Sequence, residues 1–490
     1  MQTTRKALVI GGGFGGMAAA LRLRAKGYAV EIAEKLPALG GRAQVFEKDG
    51  YRHDSGPTVI TAPFLFEELF ELFGKNLHDY VTLKELTPWY RFVFPDGRSF
   101  DYGGTVEETL DQIAKFNPSD RDGYLRLVEG SRKIFEIGFE KLADQPFNDW
   151  RTMASTLPHL VSLRADRNVW QFVCSHISDP CLRQAFSIQP LLVGGNPFNT
   201  TCIYSLIHYL ERKWGIHFVM GGTGALVKAL QTLITEEGIE ISLNTDIERL
   251  EAKNGKIDAA CLQGGGEKKA DIFVSNCDPA FLYSRMINRK AQPLATKLKT
   301  GKARFSMGLY VLYFGTAAKY ENIAHHTIWL GKRYKALLND IFDRKIMTRD
   351  FSLYLHRPTA TDPAFAPEGH ESFYVLAPVP NLQGKVNWSE EGPALRDRIV
   401  AALDKTILPD LKNTIRSDFF MTPEDFRDDY NSLHGAGFSI APLLSQSAWF
   451  RYHNKAEGFQ NLYLTGAGTH PGAGLPGVVS SAKVIEKLVA

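Results

Sequence analysis

The stretch "ALVIGGGFGGMAAALRL", residues 7–23, decides the fold. Residues 7–10 form an apolar run, residues 6–10 read as a strand, and glycines 11–13 break it. Residues 16–26 read as a helix, with Leu21 and Ala25 four apart. Gly27 stops it, because glycine tolerates positive φ. Residues 29–33 read as a second strand, so the chain opens as a βαβ unit. Gly11, Gly13 and Gly16 satisfy the spacing GxGxxG. The first permits a tight turn, the second lets a pyrophosphate approach the backbone, and the third lets helix pack on strand. The helix N-terminus adds N–H donors and a partial positive charge. Glu34 ends the second strand, 18 residues past Gly16. There a carboxylate takes the ribose hydroxyls of an adenosine half and repels a 2′-phosphate.

The residues that follow choose between dinucleotides. In "LPALGGRA" the twin glycines Gly40 and Gly41 let the chain pass close to a cofactor, and Arg42 is placed to bind its phosphates or ribityl region. The whole run from Leu8 to Arg42 resembles the extended signature of FAD-dependent amine oxidases and desaturases. At the other end, Gly466, Gly468, Gly472, Gly474 and Gly477 precede a helix that starts near Val478. A helix N-terminus facing a flavin would stabilise negative charge on the reduced ring.

Between these ends the pattern changes repeatedly. Residues 80–216 read as mostly helical with loops, and Ile203, Leu206, Ile207 and Leu210 fall on one helix face. Only nine charged residues occupy the 70 positions 151–220, so this region is either a buried helical core or a surface that faces something greasy. Residues 221–245 return to helix and strand, with Leu226, Leu230, Leu233 and Ile234 on the helix and Gly238 ending it. Residues 246–277 read as a meander with turns at Asn254-Gly255 and Gly264–Gly266. Residues 300–450 alternate strands with helices. The expected fold is α/β: a Rossmann-type FAD-binding domain assembled from 1–75, 217–295 and 455–490, and a substrate domain of mixed sheet and helices from 76–216 and 296–454. The low-charge helical region near 150–216 is its expected membrane-associating part.

The chain resembles the carotenoid desaturases, a family within the amine-oxidase-like FAD superfamily, nearly end to end. The matching segments include "DSGPTVIT" (54–61), "LRQAFSIQPLLVGGNPF" (182–198), "GGTGAL" (221–226) and "YLTGAGTHPGAGLPGVVSSAK" (463–483). The resemblance implies oxidation of a long polyene, phytoene and its partly desaturated carotenes, toward lycopene. Each round would send one hydrogen to flavin N5 as hydride and lose another as a proton, with oxygen or a quinone as final acceptor. It also implies that Gly11, Gly13, Gly16, Glu34, Gly41 and Arg42 hold FAD and that Pro57 and Thr58 lie near the flavin. Ile247 would meet adenine through its backbone, and Gly468, Gly477 and Val478 would cradle the pyrophosphate and ring. One departure is Val219-Met220, where the family has a proline and a basic residue. The resemblance supplies no catalytic acid or base. Asp149, Arg151, Glu211 and Arg212 read as surface charges, and His470 is the histidine placed to touch the ring. His325, His326 and His434 have no metal-ligand spacing, so no metal is expected.

A net charge of +3 and the absence of a nucleic-acid-type basic stretch exclude that partner. Five cysteines, odd in number and without CxxC spacing, suit a reducing compartment. No 18-residue apolar run and no signal peptide are expected, so the protein would sit peripherally on the cytoplasmic face of a membrane. Two alternatives remain open at this stage. One is another flavoenzyme, either a related desaturase with another substrate or number of rounds or an amine oxidase, for which the sequence places no aromatic cage. The other is a flavin-independent prenyl-lipid carrier like the GDP-dissociation inhibitors, against which the intact glycines and Glu34 argue.

Overall fold

The computed structural model describes residues 4–147, 156, 158 and 161–489. Its organising element is a five-stranded parallel sheet in the order Leu462–Leu464, Ile272–Ser275, Lys6–Ile10, Ala29–Ala33, Glu240–Ser242. The strands come from the start, the middle and the end of the chain. Four of the five residues of Lys6–Ile10 are buried, as a parallel strand covered on both faces requires. The first helix, Phe14–Ala25, packs on this sheet and against the terminal helix Leu475–Leu488. Arg22 of the first helix is buried between Glu486 of the last and Glu68. The meander expected over 246–277 is present as Ile247–Lys253, Lys256–Leu262 and Glu267–Lys268. The strand that follows it, Ile272–Ser275, leaves the meander and joins the parallel sheet.

A second, seven-stranded sheet runs Ile415–Met421, Gly308–Thr316, Glu371–Val379, Leu353–His356, His326–Trp329, Tyr90–Val93, Ser99–Tyr102. All neighbours are antiparallel except His326–Trp329 with Tyr90–Val93. The last two strands correct the helical reading of 80–216. "YRFV" and "SFDY" alternate in burial around the turn at Pro95–Gly97, and alternation at period two is a strand signal. Helices begin only at Val106. The low-charge stretch is largely core within its described part: Val169, Phe172, Val173, Leu182 and Phe186 are buried against the second sheet's aromatic residues.

The glycine-rich C-terminal turn is held by a buried cation. Arg451 is 1% exposed, and its guanidinium donates to the carbonyls of Thr469 (2.9 Å), Ala467 (2.6 Å) and Gln446 (3.3 Å). Arg451→Met keeps the volume and strands these acceptors. The expected loss is roughly 2–4 kcal/mol of unfolding free energy, read by urea denaturation, with unchanged stability as the contrary result.

Candidate functional site: a dinucleotide cradle continuous with an apolar cavity

The strand Lys6–Ile10 delivers the chain into a turn whose atoms leave no room for side chains. Gly11 sits at φ +95°, and a Cβ on Gly16 would stand 2.0 Å from the Gly11 carbonyl oxygen. That distance explains why the third glycine of the motif is bare: the helix rests directly on the turn. Gly40, at φ +116°, donates its N–H to the Gly12 carbonyl at 2.9 Å, so the loop 40–42 is clamped over the turn. A Cβ on Gly477 would stand 2.5 Å from the Gly472 carbonyl oxygen, which repeats the same constraint at the start of the terminal helix.

One cavity of about 540 Å³ runs past both glycine clusters. Gly11, Gly13, Glu34, Gly41, Arg42, Pro57, Thr58, Ile247, Gly468, Gly477 and Val478 all line it. Gly16 does not; it stands behind the wall as a packing residue. Val219 and Met220 are also off the wall, so the departure there falls outside the cavity. Beyond the glycines the wall turns apolar, with Leu191, Leu192, Ile203, Leu206, Ile207 and Leu210 from the low-charge region.

The polar groups fit an FAD-type dinucleotide. Glu34 is 4% exposed and accepts hydrogen bonds from Gly12 N (2.6 Å) and Leu36 N (2.9 Å), one on each carboxylate oxygen. Each oxygen keeps a lone pair for a ribose hydroxyl. Burial raises the Glu34 pKa, and those N–H groups oppose the shift. Burial likewise lowers the Arg42 pKa, with Asp278 and Tyr430 nearby opposing it. Its contact with Ser432 Oγ is long at 3.4 Å, leaving its other donors for a phosphate. The N-terminus of the helix Leu475–Leu488 meets the cavity at Gly474, Leu475 and Pro476.

His470 lines the cavity as expected, but its Nε2 donates to the Leu142 carbonyl at 2.8 Å, and burial pulls its pKa down to about 4. It is therefore a neutral, fixed imidazole at physiological pH. Thr58 Oγ1 lies 2.6 Å from the Tyr354 hydroxyl, which lies 2.8 Å from His326 Nδ1. His325, His326 and His356 are buried neutral, their pKa values lowered by desolvation. Asp149 and Arg151 lie outside the described residues. No group of His, Cys, Asp or Glu suited to a metal occurs among the described residues.

Glu211 and Arg212 are not surface charges. Glu211 is 1% exposed, lines the cavity, and accepts from the Tyr90 hydroxyl at 3.2 Å, with the buried Gln189 side chain also beside its carboxyl. Adjacent residues on a helix do not face each other, so Arg212 turns away. Its guanidinium lies over Trp89 (4.4 Å) and Tyr102 (5.0 Å) and donates to the Tyr124 hydroxyl at 2.6 Å and the Gly104 carbonyl at 2.7 Å. Glu211 lacks a bonded counter-ion, and burial pushes its pKa up to about 8. Sequence reasoning missed this group because one charged pair on a helix looks solvated until the partner strands are placed.

The chain belongs to the family described as flavin containing amine oxidoreductase, whose sequence profile matches residues 14–484. Among the relatives, it is 46% identical to the lycopene-forming phytoene desaturase of Pantoea ananas over 98% of both chains. It is 39% identical to the neurosporene-forming phytoene desaturase of Rhodobacter capsulatus, over 99% of this chain and 94% of that one. Among solved structures, an oxidoreductase from Methanosarcina mazei shares the fold at a TM-score of 0.67 and 17% identity, covering 98% of this chain and 100% of the other.

Two expectations follow from this geometry. A Cβ on Gly13 would stand 2.9 Å from Asn276 Nδ2 on the cavity wall. Gly13→Val should lower the flavin bound by purified protein at least about tenfold, measured by its visible absorbance; normal flavin content would remove Gly13 from the cradle. For Glu211, the folded pKa of about 8 lies above the unfolded carboxylate value. Below the unfolded value both states are protonated. Between it and pH 8 the unfolded state alone ionises, so stability falls as pH rises through that window. Glu211→Gln should abolish this slope, worth roughly 3–5 kcal/mol in full, in denaturation curves taken across pH 4–9; parallel wild-type and variant curves would show an ionised Glu211.

Proposed function

We propose that the chain is an FAD-dependent phytoene desaturase that converts 15-cis-phytoene to lycopene in carotenoid biosynthesis by successive removals of hydride and proton. The observation that carries this reading is the continuity of one cavity from the glycine cradle into an apolar channel lined by Leu191, Leu192, Ile203, Leu206, Ile207 and Leu210. The relatives' names agree with it. FAD, when bound, supplies the two-electron acceptor for oxidation of a CH2–CH2 unit beside double bonds.

The protein's residues provide the rest. The glycines 11, 13, 41, 468 and 477 give backbone access, Glu34 takes the ribose, and Arg42 takes the phosphates or ribityl chain. Pro57, Thr58 and Val478 would border the ring, and the Ile247 backbone would meet the adenine. Gly16 acts through the turn it supports. The leucine and isoleucine wall excludes water from a substrate that has no polar group to orient it, so shape alone sets its register. Glu211, held at Oε1 by the Tyr90 hydroxyl and flanked by Gln189, is a titratable group of this apolar wall, and it is placed to hold a proton there. In this reading the FAD-binding domain comprises 1–75, 217–295 and 455–490, and the substrate domain comprises 76–216 and 296–454.

The substrate dictates a lipid surface. At roughly 0.8 kcal/mol per CH2, moving a forty-carbon polyene from lipid into water costs on the order of 25–30 kcal/mol, whereas lipid to apolar channel is close to neutral. No helix among the described residues is long and apolar enough to cross a membrane; in this reading the association is peripheral. The five free thiols support a reducing compartment, the cytoplasmic side of that membrane. Oxygen or a membrane quinone is the final acceptor in this reading.

Expression in cells that accumulate phytoene tests the assignment. Extracts are expected to turn red, with the absorption spectrum of eleven conjugated double bonds, about the number four rounds of desaturation leave. Extracts that stay colourless, or that stop at a shorter chromophore, would overturn the lycopene-forming reading.

A further inference from the structure

Seven large apolar side chains are exposed among the described residues: Leu125, Val161, Leu294, Leu298, Ile346, Leu444 and Phe450. Single exposed leucines are ordinary on protein surfaces, and Leu125 and Val161 are such cases, but the other five are brought together. Leu294 (70% exposed) and Leu298 (52%) occupy one face of the helix Leu294–Lys302, four residues apart. Leu444 and Phe450 flank the loop 444–450, which is fastened to the end of that helix. Lys299 Nζ donates to the Arg451 carbonyl at 3.1 Å, the Tyr452 hydroxyl lies 3.0 Å from Thr300 Oγ1, and Arg304 N donates to Gln446 Oε1 at 2.8 Å. Arg304 also pairs with Asp343 at 2.7 Å, which brings the turn carrying Ile346 to the same region.

The chain segment that carries the helix has charge of one sign. From Pro279 to Tyr320 the chain contains no Asp or Glu, and seven basic residues fall between 285 and 304. Lys299 is paired with Glu457 and Arg304 with Asp343; Arg285, Arg289, Lys290, Lys297 and Lys302 make no ion pair among the described residues. Lys297 and Lys302 share the face of Leu294 and Leu298. An apolar stripe bordered by unpaired cations is the pattern of a helix that lies in a bilayer interface, its leucines among the acyl chains and its lysines at anionic headgroups. Between Leu444 and Phe450, the half-buried Ser447 and Ala448 line the cavity, so the patch backs directly onto the channel wall.

We propose that the helix Leu294–Lys302 and the loop 444–450 form a docking face for an anionic lipid bilayer, set against the part of the cavity wall at Ser447 and Ala448. This rests on the reading of the cavity as a site for an apolar substrate. It also moves the membrane contact away from the low-charge stretch near 150–216, whose described residues are largely core. The face is built to collect substrate where it dissolves.

Flotation of the flavin-loaded protein with phosphatidylcholine vesicles, with and without phosphatidylglycerol, tests the proposal. The wild type should float with the anionic vesicles and release as salt rises. Leu294→Asp with Leu298→Asp should lower the vesicle-bound fraction at least about tenfold. Lys290→Gln, Lys297→Gln and Lys302→Gln together should remove the preference for phosphatidylglycerol and its salt dependence. All these positions lie outside the cavity, and retained flavin absorbance confirms folding; the lysine variant decides the matter if the leucine variant loses flavin. Conversion of detergent-dispersed phytoene should be unchanged in both variants, while conversion of vesicle-embedded phytoene falls. Vesicle binding equal to wild type in both variants overturns the proposal. So does a change of oligomeric state without a change in vesicle binding, which would assign the patch to a second copy of the chain. Loss of conversion in every format by the wild type would instead defeat the desaturase reading and leave the flotation result standing on its own.

Discussion

The structure depends on two places where a helix must begin against bare backbone. At Gly16 and at Gly477 a single added carbon would collide with a carbonyl oxygen of the preceding turn, at 2.0 Å and 2.5 Å. Both helices enter the same region because their preceding strands, Lys6–Ile10 and Leu462–Leu464, belong to one parallel sheet with Ile272–Ser275 between them. Two helix N-termini, with their unsatisfied N–H groups, thereby face one cavity from opposite ends of the chain. Everything else in the site is arranged around that convergence: Glu34 and Arg42 on the first unit, Thr58 and Ile247 on the flanks, and the apolar channel beyond.

The channel wall shows how a carboxyl is kept in a greasy place. Placing Glu211 and Arg212 side by side does not make them an ion pair, because the helix turns them about 100° apart. The arginine is satisfied by aromatic faces and hydroxyls, and the glutamic acid is left with uncharged partners, the Tyr90 phenol and the Gln189 amide. Desolvation then favours the neutral acid. The same economy governs His325, His326, His356 and His470, which burial holds neutral. The cavity's apolar stretch therefore presents little fixed charge to a hydrocarbon, while its dinucleotide end keeps Arg42 and the helix termini.

Low charge density in a sequence has two physical readings, a core or a greasy surface. The stretch near 150–216 belongs, in its described part, to the first, since its side chains fill the space under the second sheet. Val161 apart, the exposed apolar side chains lie elsewhere, and the two most exposed of them, Leu294 and Leu298, sit in a segment rich in basic residues. Leucines interleaved with lysines at helical spacing average out in composition, and only their exposure separates a docking helix from a solvated one.

The βαβ opening, its glycines, Glu34, the meander and the glycine-rich terminal turn were legible in the residues, because each is a local device. A tight turn needs glycine, a strand end carries its acid, and a hairpin carries its Asn-Gly. Two strands and one side chain were misread for the opposite reason. The strands Tyr90–Val93 and Ser99–Tyr102 are short and earn their stability from neighbours far along the chain, and Glu211 resembles any helical surface charge until Tyr90 arrives from one of those strands. The sequence alone determined the cofactor class and the family, since backbone approach to a pyrophosphate is dictated within a few residues. Tertiary structure alone decided which side chains share the cavity wall, which charge is buried, and where apolar surface remains uncovered, because these depend on pairings between residues hundreds of positions apart.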